Sequence, residues 1–174
     1  MKISVERLIK EGDISPLRWG MNGDDLARVL PGSFGIIQDY RRQRCPWLDF
    51  DGIEFYFDED FYLGLNQLII QAWRITRRDW AHHRHFDLAW IRQRLTYRKV
   101  LGHLQRLGWA YEVWPSGGAY QSPLLLVQGR AAFLFYYDEV ATDDLELCKI
   151  VLYNPGQAQW LRQRLADMHP GANR

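Results

Sequence analysis

The segment Phe55-Tyr56-Phe57-Asp58-Glu59 returns 80 positions later as Phe135-Tyr136-Tyr137-Asp138-Glu139, and this pair decides the fold class. In both segments aromatic residues, which favour strands, lead into carboxylates, which favour turns. Alternation along a strand places Phe55 with Phe57 and Phe133 with Phe135 on the core face, and Tyr56 and Tyr136 on the other. We therefore predict two equivalent strands, each followed by an acidic turn.

The similarity extends upstream of these strands. At an offset of 74, Asp13-Ile14-Ser15-Pro16-Leu17-Arg18 falls on Asp87-Leu88-Ala89-Trp90-Ile91-Arg92, and Asn22 falls on Thr96. Self-similarity over such a distance is typical of an internal repeat. We predict a duplicated unit, at about 13–73 and 87–153, in which a capped helix precedes an aromatic strand, an acidic turn and a returning strand.

Capping residues and strand-forming runs outline the other elements. Ser4, Asn22, Thr96 and Asn154 can each cap a helix, and Gly12 and Gly108 can end one. Helices are predicted at 5–11, 23–30, 97–107 and 156–168, and strands at 35–37, 52–57, 63–73, 109–114, 124–127, 131–137 and 145–153.

These elements predict an α+β fold in a single domain spanning 1–174. Two tandem helix-plus-antiparallel-meander units would form one sheet or two packed half-sheets. Helices would cover the sheet, because a half-buried antiparallel sheet needs a cover on its apolar face. A C-terminal helix at 155–168 completes the prediction.

Charge is distributed unevenly along the chain. The 174 residues carry a net charge of +1, but residues 73–106 hold nine basic and two acidic side chains. Arginine supplies 18 of the 22 basic residues, and 25 residues are aromatic. Arginine and aromatic residues are enriched at protein–protein contacts, so this composition favours a binding function.

Cysteine usage and hydropathy indicate the compartment. Cys45 and Cys148 are too few for a disulfide framework, and we expect free thiols in a reducing environment. Residues 1–13 hold no apolar stretch of the kind that a signal peptide needs. The longest apolar run, 131–137, has seven residues, far short of a membrane span. These features predict a cytoplasmic protein with no membrane partner.

Three stretches carry a family resemblance: Trp19-Gly20-Met21-Asn22-Gly23-Asp24-Asp25-Leu26, then Val29-Leu30-Pro31-Gly32, then Gly52-Ile53-Glu54-Phe55-Tyr56-Phe57-Asp58. Together they resemble small bacterial immunity proteins encoded beside polymorphic toxins, in which a capped helix precedes an aromatic strand. Asp51-Gly52 stands where that pattern has Tyr-Gly. The resemblance implies a protein that neutralises a cognate toxin by binding it.

Signals for catalysis or cofactor binding are weak. On a helix, Asp79, His83 and Asp87 would share one face and could suit a metal ion. Four neighbouring arginines would repel that ion, so we interpret the segment as a solvated basic linker. No nucleophile elbow, phosphate loop or dinucleotide fingerprint occurs in the chain. We predict no enzymatic activity, no metal and no cofactor.

The predicted partner-binding residues fall in three groups, which are the acidic turns, the central Arg/Trp segment and the loop from Trp114 to Tyr120. Acidic turns steer association with basic partners, whereas Arg and Trp supply anchors. The candidates are Asp58, Glu59, Asp60, Arg77, Arg78, Trp80, Trp114, Tyr120, Asp138 and Glu139. The alternative function is a nucleic-acid-binding or regulatory module that uses the basic segment 73–106. A sequence pI of about 7.8 disfavours nucleic acid as the partner, because such domains are usually basic throughout.

Overall fold

The computed structural model describes residues 2–30, 47–50, 52–57, 64–115, 123–136 and 145–170. The helices are α1 Val5–Glu11, α2 Gly23–Val29, α3 Arg77–His82, α4 Tyr97–Leu107 and α5 Pro155–Met168, with a 3-10 turn at Ala72–Arg74. The strands are β1 Ile3–Ser4, β2 Trp47–Phe50, β3 Ile53–Phe57, β4 Leu65–Ile70, β5 Phe86–Asp87, β6 Tyr111–Trp114, β7 Leu124–Val127, β8 Ala131–Tyr136 and β9 Glu146–Tyr153. The α+β class is therefore confirmed. The predicted strand at 35–37 lies outside the described residues.

Local capping chemistry sets the helix boundaries. The side chains of Ser4, Asn22 and Asn154 accept hydrogen bonds from backbone N–H groups at the starts of α1, α2 and α5. Gly12 and Gly108 end α1 and α4 in the left-handed conformation. Helices α1 and α4 begin and end at the predicted residues, because both boundary signals are local in sequence.

One antiparallel sheet unites the two halves of the chain. Within the described ranges it has seven strands, in the order β2-β3-β4-β9-β8-β7-β6. Strands β4 and β9 pair at its centre, where Ile69 lies opposite Val151. Of the two predicted arrangements, the structure has the single sheet. A separate parallel pair joins β1 to β5, with Ile3 opposite Phe86.

The register relates the meander β2-β3-β4 to the meander β7-β8-β9 by an approximate two-fold axis. Leu68 pairs with Leu152 and Ile150 pairs with Ile70, so the central ladder maps onto itself when the halves are exchanged. Each half has one irregularity, between Tyr56 and Phe57 in β3 and between Leu134 and Phe135 in β8. The duplication itself stays a prediction.

The ladder corrects the sequence alignment of the aromatic strands. Phe55 pairs with Leu68, and Phe133 pairs with Ile150, the residue equivalent to Leu68. Phe55 is thus equivalent to Phe133 at an offset of 78, rather than to Phe135 at 80. The two-residue difference keeps the same face, because strand side chains alternate with a period of two.

The loops before α2 and α4 also correspond, at the predicted offset of 74. The amide of Leu17 donates to the carbonyl of Ile14 at 2.8 Å, and the amide of Ile91 donates to that of Leu88 at 2.9 Å. Each loop is then fixed to its own meander. Leu65 N donates to Met21 O, and Leu147 N donates to Leu95 O, both at 2.7 Å.

The two faces of the sheet are covered differently. The inner face packs against α1, α2 and α4 and forms the main core, in which the predicted stripe of Phe55, Phe57, Phe133 and Phe135 is buried. On the outer face α5 packs its Leu161 with Ile69 and Val151, and its Leu165 with Trp114 and Leu126. Helix α5 thus crosses the outer face and contacts strands β4, β9, β7 and β6.

The segment predicted as a solvated basic linker between the halves is exposed only in part: Ala81, His82 and Arg84 are exposed, whereas the residues that follow turn into the core. Phe86, Leu88 and Ile91 are buried in the main core. His83 is also buried, and its Nδ1 accepts a hydrogen bond from the amide of Phe86 at 3.2 Å. Burial of these side chains outweighs the charge of the neighbouring arginines, which remain at the surface.

No helix in the described part of the chain is both long enough and apolar enough to cross a membrane.

Candidate functional site

A groove on the described surface is lined by Arg77, Arg92, Gln93, Arg94 and Lys99. We call it the basic groove. Its volume is about 450 Å³, and it opens to solvent where α3 meets the loop before α4. Four of the five lining residues are cations.

Apolar residues hold the walls of the basic groove in place. Ile75 and Ile91 are fully buried beneath it, so the neighbouring charged side chains point outward. The amide of Gln93 donates to the carbonyl of Ile75 at 3.0 Å, which ties the loop to the segment before α3. Arg94 has a φ of +62°, a left-handed conformation that is uncommon outside glycine.

No described carboxylate neutralises the basic groove. Among the acidic side chains that the structure describes, which do not include that of Asp79, none lines the groove and none forms an ion pair with Arg77, Arg92, Arg94 or Lys99. The guanidinium of Arg92 lies 5.7 Å from the ring centroid of Trp80. The field reaches His103, whose pKa is lowered by burial and then by the charges of Arg106 and Arg92.

The tryptophans near the basic groove are engaged within the protein. Trp80 donates its indole N–H to the carbonyl of Ala89, and Arg92 covers its ring. Trp90 stacks on His103 with ring centroids 4.6 Å apart. These rings support the groove wall and leave its chemistry to the cations.

A second candidate surface lies on the outer side of the sheet. Two exposed tryptophans lie on this side, Trp73 beside Arg74 and Trp160 beside Arg164, and we call the two pairs together the tryptophan face. The side chains of Trp73 and Trp160 are 51% and 59% exposed. The guanidinium of Arg164 lies 5.0 Å from the ring centroid of Trp160, one helical turn away on α5.

A buried carboxylate holds one end of the tryptophan face. Glu54 is only 6% exposed, and its Oε2 accepts hydrogen bonds from Gln71 Nε2 at 2.9 Å and from the Tyr56 hydroxyl at 3.2 Å. Gln71 Oε1 in turn accepts from the indole N–H of Trp73 at 3.1 Å. Arg74 Nη1 lies 3.7 Å from Glu54 Oε1. The network therefore holds the side chains of Trp73 and Arg74 in place.

A further cavity, of about 380 Å³, lies between α1 and α5. Its arginines already have partners. Arg130 donates to the carbonyl of Lys10 at 3.2 Å, and Arg162 pairs with Glu112 at 2.7 Å. These contacts tie α1 and α5 to the sheet, so we assign the cavity a structural role.

The predicted partner-binding residues separate into three groups. Arg77 lines the basic groove, Arg78 is exposed beside it on α3, and Trp80 supports its wall. Trp114 requires a correction, because it is 1% exposed under α5 and packs in the core instead of at the surface. Asp58, Glu59, Asp60, Tyr120, Asp138 and Glu139 lie outside the described residues.

The Asp79, His83 and Asp87 face considered as a metal site does not form. Helix α3 ends at His82, so the spacing of four residues no longer places His83 and Asp87 above one another. Among the residues that the structure describes, no group of three metal-ligating side chains could hold an ion.

Sequence reasoning missed Arg92, Arg94 and Lys99 as individual site residues, although it found the charged segment that contains them. It also missed Trp73 and Trp160. The charge block was the available signal for the first set. The exposure of the two tryptophans has no local signal, because it depends on which side chains the sheet and α5 leave uncovered.

Comparison with protein-family models, curated proteins and solved structures found no match to this chain.

Proposed function

We propose that the protein is a cytoplasmic, non-catalytic binding protein that neutralises a cognate bacterial toxin by occluding it. The observation that carries the proposal is the tryptophan face, where Trp73 and Trp160 stand exposed beside arginines. The resemblance of the first half to immunity proteins supplies the kind of partner. The toxin is the ligand, and burial of its active surface is the mechanism.

Exposed tryptophan beside arginine is the composition of an interface hot spot. Tryptophan and arginine are enriched among the residues that contribute most to binding between proteins. Gln71 holds Trp73, and Arg164 covers part of Trp160, so both rings are ordered before a partner arrives. Such preorganisation reduces the entropic cost of association.

Both anchors lie on the outer side of the sheet. Glu54 is paired with Ile69 across β3 and β4, and directly paired residues point to the same face. Ile69 packs with Leu161 of α5. The network from Glu54 through Gln71 to Trp73 is therefore on the side that carries α5 and Trp160. A partner seated there would contact a rigid sheet and a helix together.

The polar groups of this face favour binding over catalysis. The carboxylate of Glu54 already has the Gln71 and Tyr56 donors and the nearby Arg74 charge. Such a satisfied, buried group positions its neighbours. Occlusion also needs no bound cofactor, because it works by excluding the toxin's substrate.

The test is co-expression with the toxin-like product of the adjacent gene, followed by co-purification and a neutralisation assay. Replacement of Trp73 or Trp160 by Ala should weaken the complex by about 30-fold each, the loss typical of a hot-spot residue. Leu107→Ala is the matched control, since Leu107 is 38% exposed on α4 at the inner side.

Two outcomes contradict the proposal. One is that no stable complex forms and the toxin stays active. The other is that both tryptophan variants bind and neutralise as well as the control does.

A further inference from the structure

We propose that the basic groove binds phosphate groups, carried either by a nucleotide or by a nucleic-acid backbone. The inference goes beyond toxin neutralisation and does not depend on it. It concerns the inner side of the sheet, where α4 packs, whereas the tryptophan face lies on the outer side.

The positive charge of the basic groove is unbalanced. Arg77, Arg92, Arg94 and Lys99 share one groove of about 450 Å³ without a described carboxylate to offset them. Like charges that line one groove repel one another. A bound anion would offset that repulsion. The ion pairs found among the described residues lie outside the groove.

The walls of the basic groove are already held in place. The hydrogen bond from Gln93 N to Ile75 O joins its two walls, and Ile75 and Ile91 are fully buried below. Arg94 keeps a left-handed backbone, which costs free energy for any residue other than glycine. A strained residue that brings a cation to the groove is the pattern expected at a binding site.

Phosphate is the anion that best suits the cations of the basic groove. A phosphate has several acceptor oxygens, and the arginine fork matches its geometry with two parallel hydrogen bonds. Three arginines and one lysine exceed what a single carboxylate can satisfy, but they suit a phosphate chain. A volume of about 450 Å³ lies within the range of small-molecule sites.

The two tryptophans beside the basic groove limit how a ligand can be recognised. Trp80 is covered by Arg92 and Trp90 is stacked on His103, so neither ring is available as a base-stacking platform. Recognition would then depend on charge and be independent of base sequence. Base stacking on these two rings is therefore excluded, and the cations of the groove remain as the binding groups.

The experiment uses the purified full chain and a labelled oligothymidylate of about ten nucleotides, followed by fluorescence anisotropy at low salt. Binding should weaken steeply as salt increases. Arg92→Gln and Lys99→Gln should each reduce the affinity at least about tenfold and lower the salt slope by about 1. Arg18→Gln should bind like the wild type, because exposed Arg18 occupies the equivalent position in the other half.

Competition identifies the source of the phosphate. Displacement of the oligonucleotide by pyrophosphate and ATP indicates a nucleotide site, whereas displacement by unlabelled strands alone indicates a backbone site. Both results support the proposal. Circular dichroism and thermal unfolding establish whether each variant is folded. If one groove variant does not fold, the other is sufficient for the test.

Three results would overturn the proposal. The first is no retention of any phosphate probe at low salt. The second is an equal loss of affinity in Arg18→Gln. The third is a polyglutamate peptide that binds as tightly as the oligonucleotide and responds to the same variants, which would assign the groove to an acidic protein partner. None of these outcomes bears on the tryptophan face, whose test requires the toxin.

Discussion

Residues 18–25 and 92–99 form the same loop and helix start in the two halves, but their side chains follow opposite rules. The first segment has one cation and two carboxylates, and the second has four cations and no carboxylate. Gly20 takes a φ of +80° where Arg94 takes +62°. The Asn22 side chain caps α2, whereas the Thr96 side chain makes no capping hydrogen bond to α4.

The first segment is what stability alone would favour. Glycine adopts a positive φ without a steric penalty, and acidic residues in the first turn complement the positive end of a helix. The second segment departs from both preferences, and its departures supply Arg92, Arg94 and Lys99 to the basic groove. Departures from local rules that converge on one groove indicate a functional site.

The largest expected effect comes from disrupting the contact between the first segment and Gly64, the residue before β4. A Cβ on Gly64 would lie 2.2 Å from the backbone oxygen of Gly20, and Gly64 has a φ of +99°. Gly64→Ala should therefore lower the free energy of unfolding by about 3 kcal/mol, as measured by urea denaturation. Glu146, the equivalent residue at the start of β9, is the control, and Glu146→Ala should cost well under half as much.

An equal loss in both variants would contradict the asymmetry between the two loops. It would mean that the close contact between Gly20 and Gly64 has no special weight. A loss confined to Gly64→Ala shows that only the first half depends on close backbone approach.

The next effect concerns the strained backbone of the second segment. Arg94→Gly makes this position like Gly20 and should raise the free energy of unfolding by about 1 kcal/mol, or the melting temperature by about 2–4 °C. The same variant removes one groove cation, so phosphate affinity should fall. Opposite changes in stability and binding are the mark of a residue retained for function.

Gly20→Ala is the reciprocal change. A Cβ on Gly20 meets no atom within 4 Å, so any cost comes from its φ of +80° alone. Thermal unfolding should show a loss of about 1 kcal/mol. If Arg94→Gly is instead destabilising, the side chain of Arg94 contributes contacts that outweigh its backbone strain.

Local signals predicted most of the fold. The residues that bound α1 and α4 lie next to these helices in sequence, and the β7–β8 hairpin has its turn at 128–130, as expected. Strand β5 and the β1–β5 pair were missed, because Ile3 and Phe86 are far apart in sequence. Helix α3 was missed too, since its six residues show no clear apolar period.

The candidate site was less predictable than the fold. The charge block predicted the region, but Arg77 lines the same groove as Arg92 and Arg94 because their segments pack together, joined by the backbone hydrogen bond from Gln93 to Ile75. Trp114 is a residue type that is common at interfaces, but α5 buries it. Neither fact has a local cause, because both depend on how distant segments pack.

The smallest expected effect tests the helix start itself. Lys99→Asp places an acid in the first turn of α4, as Asp25 does in α2, and relieves repulsion among the groove cations. We expect a gain in unfolding free energy of about 0.5 kcal/mol at low salt, measured by urea denaturation, together with loss of phosphate binding.

The reverse change, Asp25→Lys, removes the ion pair with Arg28 and should cost a similar amount. Because both effects are electrostatic, they should shrink together as salt increases. A gain in Lys99→Asp that persists at high salt would point to new contacts of the aspartate, and the two helix starts would then differ for reasons other than charge.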